Sequence, residues 1–180
     1  MNHFDFLTTV DVSAVAKELA ITSPRWDAMV MRQSFGGSAH VDTKCIPLRG
    51  ASSFVTSYEV HPKGGRRMTP HAMQLPHTRA LMNKVLAGLN IKELGNVLAV
   101  AFAPGGYIRP HTDEGVYADY FDRFHICITA PKGHWLQCDG EYAYPHAGDV
   151  FHFNHRVEHS GGNPSDEWRI HLIFDARLKE

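Results

Sequence analysis

A chain of 180 residues with 43% hydrophobic and 21% charged residues has the length and composition of one globular domain that buries its own core. Its formal net charge of -1 gives no global field for nucleic acid or an anionic membrane, and no apolar stretch of ~20 residues is available to span a bilayer. Cys45, Cys127 and Cys138 are odd in number, widely spaced and free of C-x-x-C pairs, which argues against a disulfide framework or a thiolate metal site and fits a reducing, cytosolic compartment.

The opening Met1-Asn2-His3-Phe4-Asp5 has no basic n-region or long apolar run, so no secretory signal is expected. Ser13 is placed to cap a short helix through Leu19, and Ser23-Pro24 has the order of another helix start. Val41 to Leu48 reads as a strand that Gly50 ends, and the basic run Lys63-Gly64-Gly65-Arg66-Arg67 as a solvated turn. A longer helix is expected from about Pro76 to Leu89, because Leu81, Val85 and Leu89 recur on one face.

From Asn96 the pattern changes to short extended runs: Val97 to Ala103, Tyr107 to His111, Arg123 to Thr129, His134 to Cys138, Tyr142 to Tyr144, Val150 to Phe153 and Trp168 to Phe174. Pro104-Gly105-Gly106 and the hairpin dipeptide Asp139-Gly140 turn the chain between them. In Arg123 to Thr129 the residues Arg123, His125 and Cys127 share one side; in the last run Arg169 shares a face with His171 and Ile173. Short strands at this spacing predict a mainly β fold, a sandwich or jelly-roll barrel flanked by N-terminal helices. With no repeat, low-complexity tract or linker, 1–180 is expected to be one domain, 1–95 supporting a core at 96–176.

The chemistry-bearing set is His111-x-Asp113, a distant His159, and Arg169 ten residues beyond it. Two imidazoles and one carboxylate hold one face of a six-coordinate Fe(II) and leave three positions open. Residues i and i+2 of a strand point the same way, so His111 and Asp113 can reach one ion, with His159 arriving from another strand. A buried Arg169 needs an anion; a dicarboxylate co-substrate would satisfy it together with Arg123 and His125. Gly115 and Pro110 frame the motif as a strand end. The second H-x-D, His40-Val41-Asp42, has no later His followed by an Arg at that spacing and is read as non-metal.

Two rival readings remain. His155-Arg156-Val157-Glu158-His159 fits the H-x-x-E-H pattern of a zinc metallopeptidase using His155, Glu158 and His159, but that chemistry needs a helix and Ser160-Gly161-Gly162-Asn163-Pro164 follows within a turn. A non-catalytic cupin-like metal- or ligand-binding module would share the barrel without requiring Arg169 or Arg123. His134, His146, His152 and His155 are read as structural or surface groups, His171 as pocket-lining or core, and Trp135 and Tyr144 as packing.

The residues from about Val97 to Ala176 resemble the aspartyl/asparaginyl β-hydroxylase-like branch of the Fe(II)/2-oxoglutarate dioxygenases. The matching pieces are Pro104-Gly105-Gly106-Tyr107-Ile108-Arg109-Pro110-His111-Thr112-Asp113, Arg123-Phe124-His125, Gly148-Asp149-Val150, and Val157-Glu158-His159 through Asn163 to Arg169-Ile170-His171-Leu172-Ile173-Phe174-Asp175. The resemblance implies a double-stranded β-helix, iron at His111, Asp113 and His159, and 2-oxoglutarate with Arg169 on its distal carboxylate and Arg123 with His125 near its chelating end. It implies hydroxylation with O2 as oxidant and succinate and CO2 released. Asp113 fills the position that halide-transferring relatives leave open, whereas Val100 stands where some relatives offer the co-substrate a hydroxyl.

The substrate implied is an amino acid, free or within a peptide, with no nucleic acid or membrane partner. The acidic, aromatic stretch from Glu114 to Asp122 is expected to form a mobile lid in which Glu114, Asp119 or Asp122 holds a substrate ammonium. Arg49 is placed to meet a substrate carboxylate.

Overall fold

The computed structural model describes residues 3–34, 36–51 and 65–179. In chain order these form β1 (Phe4–Thr9), α1 (Ser13–Glu18), a 3₁₀ turn (Pro24–Asp27), α2 (Met31–Ser34), β2 (Thr43–Ala51), β3 (Arg66–Met68), α3 (Pro70–Met73), α4 (Pro76–Gly88), β4 (Ile91–Phe102), β5 (Tyr107–His111), α5 (Val116–Tyr120), β6 (Asp122–Thr129), β7 (Trp135–Cys138), β8 (Glu141–Ala143), β9 (Asp149–Phe153), β10 (His159–Gly162) and β11 (Arg169–Leu178). No helix among them is long and apolar enough to cross a membrane.

The strands build two antiparallel sheets, one ordered β1-β9-β6-β11-β4-β2-β3 and the other β5-β10-β7-β8. Of the sandwich and jelly-roll that the strand spacing predicts, this is the jelly-roll, the double-stranded β-helix that the resemblance implies. One face of the larger sheet, through Val97, Ala99, Ile126, Leu172 and Phe174, packs on Val15, Leu19, Leu81 and Val85 of the N-terminal helices. Between the sheets a second cluster joins Phe4, Phe151 and Phe153 to Leu136, Cys138 and Ala143. The central strands β6 and β11 are therefore covered on both faces, which is why Phe124 to Ile128 and Arg169 to Leu172 are buried without alternation.

Local differences from the sequence reading have local causes. Ser13 is the first residue of α1 rather than its cap, which is Val12; Asp11, one residue earlier, accepts at Oδ1 from the Ser13 N–H at 2.9 Å and hydroxyl at 2.6 Å. Ser23 does cap its turn. The second strand starts at Thr43 and continues through Gly50 to Ala51, because pairing with β3 holds Gly50 opposite Arg67. Arg66 and Arg67 thus lie in a strand rather than a turn, with Arg66 Nε donating to Asn96 Oδ1 at 3.0 Å; Lys63 and Gly64 of that basic run lie outside the described residues. α4 ends at Gly88, and Glu18 of α1 reaches its first turn, accepting from the Thr78 N–H at 2.7 Å and the His77 N–H at 3.0 Å.

The segment Glu114 to Asp122, expected as a lid, contains the short helix α5. At the β7–β8 hairpin Asp139 and Gly140 both have positive φ, 46° and 82°, the pair of angles that a two-residue turn between twisted strands requires. Tyr144 is 60% exposed and stacked beside Tyr142, so it is not the packing residue expected.

Candidate metal centre

β5 and β10 are adjacent strands, and their register sets His111 directly opposite His159. The two ring centroids lie 4.2 Å apart. Asp113 follows β5 by two residues, its N–H donating to the His155 carbonyl at 3.1 Å. One ligand atom from each of His111, Asp113 and His159 lies within 4.8 Å of the other two.

Hydrogen bonds fix the tautomers of both rings. His111 Nδ1 lies 2.8 Å from the Arg109 carbonyl and His159 Nδ1 lies 2.9 Å from the Val157 carbonyl. A carbonyl only accepts, so each Nδ1 carries the proton and each Nε2 presents a lone pair. This is how a metal-ligating histidine is ordinarily oriented. Burial holds His159 well below the usual imidazole range, at about 4, and so keeps it neutral, as a ligand must be. The donor set and its tautomers fit a ferrous ion.

Arg123 on β6 organises the carboxylate. Its Nη1 donates to Asp113 Oδ2, while its Nε and Nη2 donate to Asp175 Oδ1 and Oδ2 at 2.8 and 3.5 Å. Burial opposes the guanidinium charge, but Asp175 and Asp113 outweigh burial and hold it more firmly protonated than usual. Tyr117 of α5 donates its hydroxyl to Asp175 Oδ2 at 2.9 Å and accepts from the Asn96 N–H at 2.7 Å. Burial, then Asp175, pushes the Tyr117 phenol up, so it stays a donor. Arg123 is thus committed to two carboxylates, a role the sequence reading did not foresee.

A single cavity between the sheets is lined by His40, His111, Arg123, His125, His159 and Arg169 among its polar residues, with Val100, Leu136, Phe153 and Ile173 among its apolar ones. Arg169 is buried at its far end. Nη1 donates to the Trp135 carbonyl at 3.2 Å, and the guanidinium lies 4.5 Å from the Phe102 ring centroid. Among the described residues no carboxylate lies within ion-pair distance of it, and burial pushes it down to about 10. A buried cation without an anion costs several kcal/mol unless something anionic joins it. Deep inside, His125 and His171 face each other, Nδ1 to Nδ1 at 3.2 Å, and neither Nε2 has a hydrogen-bond partner. Burial, then Arg123 for one ring and Arg169 for the other, holds both well below the usual imidazole range.

His111, His159, Arg123, His125 and Arg169 therefore line one cavity, with Asp113 at its edge beside His111 and His159. His171 lines it as well. His40 was set aside with the second H-x-D, yet its ring meets His111 edge-on at 4.9 Å. No spacing rule exposes such a contact; Asp42 holds that loop in place by accepting from the Tyr107 N–H at 3.0 Å. The substrate candidates do not line the cavity. Asp122 accepts from Arg156 Nη1 at 2.9 Å, and Glu114 and Asp119 are exposed on the segment beside the metal motif. Arg49 donates to the Gly95 carbonyl at 2.7 Å; burial, then Arg66, lowers its proton affinity. Asn154 to Glu158 is turn and bend, not helix, and His155 is directed to the Ala118 carbonyl at 3.2 Å, so the metallopeptidase geometry is not formed.

The aspartyl/asparaginyl β-hydroxylase family model matches residues 16–178. No protein with a curated description matches the chain. Its backbone superimposes on the collagen prolyl hydroxylase of Paramecium bursaria Chlorella virus-1, crystallised with 2-oxoglutarate, with a TM-score of 0.57 at 12% identity over 99% of this chain and 97% of that one. A 2OG-Fe(II) oxygenase-family oxidoreductase from Burkholderia pseudomallei gives 0.56 at 13% identity, covering 97% and 84%. At these identities the likeness shows the fold.

Proposed function

The chain belongs to the aspartyl/asparaginyl β-hydroxylase family, and on that premise we propose that it is an Fe(II)- and 2-oxoglutarate-dependent dioxygenase that hydroxylates an unactivated C–H bond of an amino acid or peptidyl side chain. The observation that carries this reading is a His–Asp–His donor set whose two histidines line the same cavity as a buried arginine that has no carboxylate partner among the described residues. With O2, the bound Fe(II) and 2-oxoglutarate supply an oxidant for C–H bonds and leave succinate and CO2.

The residues divide the remaining work. His111 and His159 offer Nε2 and Asp113 offers the oxygen not held by Arg123, so the three ligands are set before the ion arrives. Arg123 positions Asp113, and Asp175 with Tyr117 positions Arg123. Arg169 receives the distal carboxylate of 2-oxoglutarate through its guanidinium fork. His125 presents its unpartnered Nε2 to the chelating end, and Arg123 adds positive potential there. Val100 gives no hydroxyl, which leaves Arg169 to hold that end, while Leu136, Phe153 and Ile173 keep water out. Glu114 and Asp119 are available to a substrate ammonium and Arg49 to a substrate carboxylate; Asp122 contributes through Arg156.

Anaerobic titration with Fe(II) and 2-oxoglutarate tests this. A metal-to-ligand charge-transfer band is expected in the wild type and none in His159→Ala; a band that survives places the iron elsewhere. Amino-acid-stimulated succinate release then tests turnover, and a band without any turnover would leave a binding module instead.

A further inference from the structure

Beside the co-substrate cavity, and sharing His171 with its lining, lies a second group of donors. Cys127 on β6, His134 just before β7 and His171 on β11 are all buried, and one ligand atom of each lies within 4.8 Å of the other two. Cys127 and His171 are cross-strand partners, and the His134 and His171 rings are perpendicular with centroids 6.4 Å apart. No step proposed above uses Cys127 or His134.

Both rings have one nitrogen engaged and one without a hydrogen-bond partner. His134 Nδ1 lies 2.7 Å from the Pro131 carbonyl, so it is the protonated nitrogen and Nε2 keeps the lone pair. His171 Nδ1 faces His125 Nδ1 at 3.2 Å. The Nε2 atoms of His134 and His171 are buried without a hydrogen-bond partner, an unfavourable condition that a ligand for their lone pairs would relieve. The Cys127 thiol has only weak contacts, 3.5 Å to the Thr129 carbonyl and 3.9 Å to the Pro145 carbonyl. The Pro145 carbonyl also faces the His134 ring and raises its proton affinity, but at a geometry short of a hydrogen bond to Nε2. Three soft or borderline donors with an oxygen beside them, closed off from solvent, make the composition of a structural site for a thiophilic ion.

We propose that Cys127, His134 and His171 form a second metal site, for a thiophilic d10 cation, zinc(II) or copper(I). Binding forms an S–metal bond and releases one proton from Cys127, whose thiol burial otherwise pushes up to about 12. The resulting thiolate offsets part of the ion's charge beside the Arg169 guanidinium, which opposes a cation here. Occupancy also settles a tautomer. A metal on His171 Nε2 leaves the His171 proton on Nδ1, donated to His125 Nδ1, and so places the His125 proton on Nε2, facing the 2-oxoglutarate cavity. The absence of a C-x-x-C pair told against a thiolate site in the sequence, but the ligands come from two strands and a loop that only the fold joins.

The site stands independently of the iron reading, and the experiment separates the two. A full-length His111→Ala/His159→Ala variant, without the proposed iron site, is loaded with zinc(II) or, anaerobically, with copper(I), then desalted and assayed for metal. One equivalent of either ion is expected to remain. Adding Cys127→Ser or His134→Gln should raise Kd at least 100-fold, above the roughly 10–100-fold of outer-shell changes. Circular dichroism checks that each variant is folded. In the wild type, cobalt(II) should give near-ultraviolet thiolate-to-metal charge transfer, a readout that needs no variant. Retention of neither ion, retention unchanged by Cys127→Ser, or no thiolate band in the wild type would overturn the proposal.

Discussion

The two ends of the cavity are built differently. At the metal end His111 and His159 are each oriented by the carbonyl two residues earlier, Arg109 and Val157, so the ring geometry is written into a three-residue stretch. At the far end Arg169 is held by the carbonyl of Trp135 and by the Phe102 ring, residues remote in the chain that only sheet register brings together. The metal end is satisfied internally before anything binds, whereas the far end is left with an unpaired cation and bare imidazole nitrogens. One end is pre-organised; the other pays for its folding only when an anion arrives.

Removing the charge at the far end should have the largest effect. Arg169→Met is expected to raise the KM for 2-oxoglutarate about 100-fold, equivalent to about 3 kcal/mol for a buried charge-assisted pair, with Fe(II) affinity little changed. Succinate release and calorimetric Fe(II) titration measure the two quantities. An unchanged KM would mean the carboxylate is bound elsewhere and would dissolve the contrast.

Acid should act first on the metal end. His159 is neutral in the folded protein down to about 4 but titrates near 6.5 when unfolded, so the unfolded chain binds the extra proton. Stability of the metal-free protein is therefore complete above pH 6.5 and falls as pH drops towards 4, by about 3 kcal/mol from this residue. His125 and His171, held low by burial, add in the same direction. Tm against pH checks this; a flat profile between pH 6.5 and 4.5 would mean the rings are solvated.

The same contrast explains what was legible in the sequence. The strand runs of the C-terminal half and the shared face of Arg123 and His125 could be read because their spacing follows the strand period. His111, Asp113, His159 and Arg169 could be read from their order and the family resemblance, since Asp113 lies beyond β5 and His159 and Arg169 lie on β10 and β11. β1 could not: Phe6 and Leu7 are 54% and 42% exposed, so its period is masked, and its place at the sheet edge depends on register with β9. α5 lacks an apolar stripe and is five residues long. His40 reaches the cavity through the loop before β2, and Asp175 meets Arg123 across β6 and β11, both contacts of tertiary origin.

A steric change should couple the two ends more weakly. A methyl group on Gly162 would lie 2.4 Å from Trp135 Nε1, and Trp135 presents the carbonyl that holds Arg169. Gly162→Ala is therefore expected to cost about 2 kcal/mol, a Tm lower by roughly 4–8 °C, with a modest rise in the KM for 2-oxoglutarate and no change in Fe(II) affinity. If iron binding falls in step with Tm, the ends are not separable.

The smallest effect concerns the rim. Glu114 and Asp119 are exposed and Asp122 is tied to Arg156, so replacing all three by amides leaves the cavity's internal contacts intact. Solvent-screened pairs are worth under about 1 kcal/mol each, so the combined change should raise the KM of a cationic substrate by roughly 3- to 10-fold. The KM for 2-oxoglutarate and the charge-transfer band should not move, because neither end of the cavity is altered. The rise should fade at high salt, since exposed charges act through a screened field. Substrate kinetics unchanged at low salt would remove these carboxylates from recognition and leave the cationic side, Arg49, as the candidate contact.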